Sequence, residues 1–205
     1  MSFDFYICRM NEDALLELSN YAGLASAVVL TINFFLGMLL ATAYRTNLYW
    51  KKLPPKIQQM DINDIHNYTA YIAWGLIVLH VLFLLLDKAS KFTFIDVIFP
   101  LKAPSQNLIV AFGTLSLYAF TVVIITTQKV IKRKMSFRAW KNIHLISYVT
   151  AILFVFHGIF MDPHLKNDQP DFFDGEKLLL EFCGLFLIVA SAKRYMYYLK
   201  KNKTK

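Results

Sequence analysis

Charged residues leave long gaps along this chain. Uncharged runs cover residues 18–44, 65–86, 103–128 and 142–161, here runs A, B, C and D. A membrane-spanning helix needs about 20 mostly apolar residues, so each run predicts one. Run E, 178–192, is shorter and contains Glu181. It reaches spanning length by adding Tyr195 to Leu199, with Lys193 and Arg194 extending to the interface. The loops are short, and no repeat or low-complexity segment divides the chain. The expectation is an all-α integral membrane protein, a single unit over residues 1–205 built as a bundle of five helices.

The cations between the runs set an orientation. The A–B loop, the C–D loop and the C-terminal tail hold 16 of the Lys and Arg residues, and the opposite side holds 6. Cytoplasmic loops carry the excess of such residues. Five spans then put residues 1–22 outside and the basic tail 193–205 in the cytoplasm. The asymmetry itself supports run E, because without it the tail would lie outside.

Composition agrees. The 205 residues are 57% hydrophobic and 16% aromatic, with a mean hydropathy of +0.43, against about 45–50% apolar in a soluble domain. The net charge of +8 sits on loops that anchor to anionic lipid, so no nucleic-acid partner is expected. A second use of the basic loops is docking an acidic soluble partner. Cys8 and Cys183 are far apart and in no CxxC, which gives neither a disulfide framework nor a zinc site. No GxG occurs, so no dinucleotide or phosphate loop is present. The N-terminus lacks the basic start of a cleaved signal peptide.

The candidate chemistry lies in four of the five histidines. His66 and His80 bracket most of run B, and His144 and His157 most of run D. Both runs pass from cytoplasm to outside. Fourteen and thirteen residues of helix rise about 21 and 20 Å, so two levels are defined, each holding one histidine from each helix. Two imidazoles facing one another across a helix pair suit a haem iron, whose two axial positions they fill, favouring electron transfer over oxygen chemistry. Zinc would need four ligands in one tetrahedron. Proton relays usually add intramembrane carboxylates, and runs A to D contain none. The competing reading is a haem-free transporter or scaffold in which these histidines gate protons or bond neighbouring helices. At about 100° per residue, His66 and His80 lie within some 40° of one direction, but His144 and His157 diverge by about 140°. Run D is therefore expected to be bent, or its two sites rotated, with Ser147 and Thr150 able to bend it. Ala70, Ala73, Ala151 and Gly158 offer room for a porphyrin, and Trp74, Phe154 and Phe156 are candidates for the space between levels. His164, in the acidic loop MDPHLKNDQPDFFDGE, reads as a surface residue.

The H-x13-H of run B, the H-x12-H of run D, the stretch AFGTLSLYAFTVVIITT, a short basic loop and AWKNIHLISYVTAILFVFHG together resemble the ferric reductase-like transmembrane family. That family includes iron reductases, NADPH oxidases and the haem-binding subunit of a periplasmic methionine sulfoxide reductase. The resemblance covers His66 to Phe160. It implies two b haems, an inner one on His66 and His144 and an outer one on His80 and His157, and electron flow from the cytoplasm to an acceptor outside. Ferric iron, a flavin or a redox protein would be that acceptor. Many relatives have six spans and continue into an FAD- and NADPH-binding domain. This chain stops at KKNKTK, so the expected donor is a cytoplasmic flavoprotein reductase carrying FMN or FAD, or a membrane quinol. Retention of His66 favours a two-haem reductase over the sulfoxide reductase subunit. The expected location is a bacterial plasma membrane.

Overall fold

A computed structural model of the chain describes the backbone of residues 3–165 and 171–203 and the side chains of residues 14–165 and 171–200. Lys166 and the side chains of Cys8, Arg9, Lys201, Lys203 and Lys205, which entered the sequence reading, lie outside the described residues. Among the described residues the secondary structure is entirely helical. Its elements are α1 (Phe3–Leu40), the short α2 (Leu48–Lys51) and α3 (Pro55–Gln58), α4 (Ile62–Leu86), the short α5 (Phe94–Ile98), α6 (Asn107–Thr127), the one-turn α7 (Lys129–Lys132), α8 (Phe137–Phe160) and α9 (Gly175–Lys203). Among the described residues four stretches are long and apolar enough to cross a membrane: Ala14–Leu40, Ile62–Leu86, Asn107–Thr127 and Phe137–Phe160. They correspond to runs A to D, and the protein is a multi-pass all-α membrane protein.

The ends differ from the charge-free limits because capping, not charge, decides where a helix starts. Helix α4 begins three residues before run B, where the Asp61 carboxylate accepts from the Asn63 amide at 2.9 Å. Helix α8 begins at Phe137, five residues before run D, where the Ser136 hydroxyl accepts from Ala139 N at 3.2 Å. Each such cap stabilises its helix by about 1 kcal/mol. Helix α6 starts four residues later than run C. Pro104 disfavours helix at the residue before it, and Gln106 adopts a left-handed φ of 43°. Helix α1 stops at Leu40, four residues short of run A, where the chain turns and the Thr42 hydroxyl bonds back to Leu39 O at 2.8 Å. Residues 175–203 form one helix of 29 residues, about 44 Å long. It contains all of run E and the extension through Lys193 and Arg194.

The helices assemble as two hairpins. Helix α1 lies along α4 and α6 lies along α8, while the hairpins meet more sparingly through α4–α6 and α1–α8, and α9 rests on α1 and α8. The centre of the bundle is apolar: Leu30, Phe34, Met38, Ala73, Phe120 and Leu187 form one buried cluster, with Ala70, Ile77, Ala151 and Phe154 against it. Gly158 and Gly184 close the α8–α9 contact. A Cβ on either would lie 3.1 Å from Leu180 Cδ1 or 3.0 Å from Val155 Cγ1, respectively. Gly158 therefore serves helix packing, and it also lines the cavity that His157 lines.

Candidate functional site

The four histidines meet in two pairs. The ring centroids of His66 and His144 are 6.2 Å apart, with the planes at 75°. Those of His80 and His157 are 6.3 Å apart at 73°. The pairing expected from sequence depth is thus present, one residue from α4 and one from α8 at each level. The near-equality of the two separations is informative, because unrelated ring contacts have no reason to share a distance and an angle.

Helix α1, which supplies no histidine, positions two of them. His80 Nδ1 donates to Ser19 O at 2.8 Å, and the Ser19 hydroxyl donates back to His80 O at 2.9 Å. Fourteen residues along, His66 Nδ1 donates to Asn33 O at 3.1 Å, and Asn33 Nδ2 donates back to His66 O at 2.5 Å and to Thr69 Oγ1 at 2.9 Å. Each contact therefore runs in both directions, each side chain donating to the other residue's backbone carbonyl. On the other hairpin, His157 Nδ1 donates to Ile109 O at 2.9 Å. Each accepting residue stands four places before a glycine: Ser19 before Gly23, Asn33 before Gly37, Ile109 before Gly113. A helical side chain leans over the turn N-terminal to its own Cα, so a residue larger than glycine would cover the accepting carbonyl. A Cβ on Gly23 would lie 3.2 Å from His80, one on Gly37 3.1 Å from His66, and one on Gly113 2.7 Å from His157.

This arrangement fixes the imidazole tautomers. A carbonyl oxygen only accepts, so Nδ1 carries the proton in those three rings, and Nε2 keeps its lone pair. No hydrogen bond among the described residues uses the Nε2 of any of the four. Metal-bound histidines commonly hold their other ring nitrogen in this way.

His144 is the exception. Its Nδ1 is buried with no partner, as is Trp140 Nε1 one turn earlier. The two rings stack at 5.3 Å and 20°, and Lys132 Nζ sits 3.9 Å over the Trp140 ring. Arg194 of α9 lies over Tyr148, its Cζ 5.1 Å from the ring centroid. Both rings of α8 reach α4, His144 to His66 and His157 to His80, despite the 140° divergence of an ideal helix. His157 leans on α6, and His144 stacks on its own helix beside these cations.

His80 and His157 line a cavity of about 160 Å³, which reaches from Asp162, Pro163 and Lys177 past Gly23 and Gly113 to Leu30, Phe120 and Thr150. At its outer end Lys177 is 5% exposed and donates to the carbonyls of Gly158, at 2.9 Å, and Met161. Among the described residues no three His, Cys, Asp or Glu side chains converge on a point.

The remaining candidates separate. Phe154 packs on the central cluster between the two levels. Trp74 instead donates to Thr121 Oγ1 at 3.0 Å, and Phe156, 48% exposed, stacks on Phe160, so neither lies between the levels. His164 is exposed, as expected of a surface residue. The sequence reading missed Ser19, Gly23, Asn33, Gly37 and Gly113. A polar residue four places before a glycine, S-x3-G and N-x3-G, occurs twice in α1 at the same interval of 14 that separates His66 from His80, and that match was the available signal.

Two antiparallel helix hairpins thus carry a histidine pair at each of two levels along a membrane-protein bundle. The model of the family described as ferric reductase like transmembrane component matches residues 22–155, and the chain belongs to that family. His66, His80 and His144 fall inside the matched stretch, and His157 lies just past it. No curated protein matches the chain. At the coarse level, membership assigns transmembrane electron transfer.

Proposed function

We propose that the chain holds two b haems, an inner one between His66 and His144 and an outer one between His80 and His157, and conducts electrons outward between them. The observation that carries this reading is the pair of ring separations, 6.2 and 6.3 Å. Metal–imidazole bonds of about 2.0 Å on opposite sides of one ion place the ring centroids about 6 Å apart. The Nδ1–carbonyl bonds, the glycine clearances and the cavity at the outer pair support the same fit. A bis-imidazole b haem supplies a one-electron couple with no open iron position. The chain's own residues hold each imidazole in place, keep Nε2 free, and exclude water with the Leu30, Phe34, Ala73 and Phe120 cluster between levels.

The finer topology is five spans, with α9 as the fifth, residues 1–22 outside and 193–205 in the cytoplasm of a bacterial plasma membrane. Its support is the cation asymmetry and the unbroken length of α9. Donor and acceptor follow from orientation: a cytoplasmic flavoprotein carrying FMN or FAD, or a membrane quinol, on the His66–His144 side, and ferric iron, a flavin or a redox protein on the His80–His157 side. Retention of both histidine pairs favours this reading over the haem subunit of a sulfoxide reductase system.

The test is an absorption spectrum of the purified protein, oxidised and then dithionite-reduced, with haem quantified against protein. Two low-spin b haems per chain are expected. A folded protein expressed with ample haem yet showing no such spectrum would leave the haem-free transporter or scaffold as the reading.

A further inference from the structure

Three of the four histidines donate Nδ1–H to a helix carbonyl, and His144 does not. Resting on the two-haem reading, we infer from this asymmetry that the inner centre has the higher reduction potential, so that the inner pair collects the electron and holds it until it is passed outward.

The sign follows from the ligands. A hydrogen bond from Nδ1–H to a carbonyl places negative charge on the imidazole and raises its basicity. A more basic axial ligand favours the ferric state and lowers the potential. On α4 the effect is the same at both levels, since His66 and His80 each have a carbonyl of α1. On α8 it is present at the outer level only. His157 has Ile109 O, and His144 has the face of Trp140.

Nearby charge acts in the same direction. Lys132 over Trp140 and Arg194 over Tyr148 flank His144, and positive charge disfavours the ferric state. Lys177 lies near His157, but it is held by two carbonyls and surrounded by Asp162, Asp174 and Glu176. Those acids offset it. No acidic side chain contributes at Arg194.

Loss of a partner behind a metal-bound histidine changes metal affinity by about tenfold or more. A tenfold bias between oxidation states of a one-electron couple is about 59 mV. The consequence is a conduit that an electron enters readily from the cytoplasm and leaves against a small rise. An inside-negative membrane voltage pushes the negative charge in the outward direction and offsets that rise.

The experiment is a potentiometric titration of the purified full chain, followed by haem absorbance. Two one-electron waves are expected, with the higher one retained in His80→Ala, which keeps the inner pair, and lost in His66→Ala. Trp140→Gln offers His144 Nδ1 an amide oxygen one turn away and should lower the inner wave about tenfold, roughly 59 mV, with the outer wave unmoved. Trp140→Phe keeps the stack without an acceptor and should leave both waves in place. The inference is overturned if the higher wave belongs to the outer pair, if the waves coincide, or if Gln and Phe shift the inner wave alike. Those results would leave two haems intact. Absence of haem from the folded wild-type chain would instead overturn the proposed function.

Discussion

Gly113→Ala should displace His157. The added Cβ would lie 2.7 Å from both Cε1 and Nδ1 of that ring. Ordinary contact starts near 3.4 Å, so the imidazole must retreat by about 0.7 Å. The Nδ1···Ile109 O bond, 2.9 Å long, then stretches to about 3.6 Å and ceases to be a hydrogen bond. Leaving that buried donor unpaired costs about 1–3 kcal/mol. Alanine in place of glycine within a helix returns about 1 kcal/mol, so the net loss is about 0–2 kcal/mol. Gly75→Ala isolates the propensity term, because nothing lies within 4 Å of its added Cβ. Gly37→Ala and Gly23→Ala need shifts of only about 0.3 and 0.2 Å, which their bonds of 3.1 and 2.8 Å survive. The assay is thermal unfolding in detergent with haem content measured on the folded fraction. The expected order of stability is Gly75→Ala first, then Gly23→Ala and Gly37→Ala close to wild type, and Gly113→Ala last, with outer haem depleted in Gly113→Ala alone. Equal behaviour of Gly113→Ala and Gly75→Ala would refute the role assigned to these glycines.

Further outcomes are expected. His80→Ala or His157→Ala should lose one haem per chain and keep the other; full two-haem content in a folded single mutant would show the pairing to be wrong. Protease added outside intact cells should cut the loop around residues 162–176 and spare Lys132–Lys134, and the reverse pattern would invert the topology. Reduction of the inner haem by a soluble flavoprotein should slow as salt rises, because the Debye length falls from about 10 Å at 0.1 M to about 3 Å at 1 M. A salt-independent stopped-flow rate would remove Arg45, Lys132, Arg133, Arg138 and Lys141 as a docking surface.

The sequence carried the membrane runs and the histidine levels because both depend on one-dimensional quantities: the length of an apolar run, and rise per residue. Helix ends were less legible. Asp61 and Ser136 are polar residues outside the apolar runs, yet their side chains satisfy the first amides of α4 and α8. Gly158 lines the cavity beside His157 and also admits Leu180 of α9, a second neighbour that a glycine in the sequence does not announce. The geometric difficulty on α8 arose from an ideal helical period, yet both of its histidines reach α4. His157 leans on α6 while His144 stacks on Trp140, a difference set by tertiary neighbours and invisible to helical periodicity.

Helix α1 contributes no imidazole, yet the interval between Ser19 and Asn33 matches the interval between His80 and His66. It works as a ruler laid antiparallel to α4. One residue inserted between Gly23 and Gly37 would turn half of that ruler by about 100° and slide it about 1.5 Å, detaching one histidine while leaving the other seated. Length changes in α1 should therefore be as poorly tolerated over evolutionary time as changes between the histidines themselves. A designer transplanting the α1–α4 hairpin into another bundle would carry the vertical spacing of both stations with it.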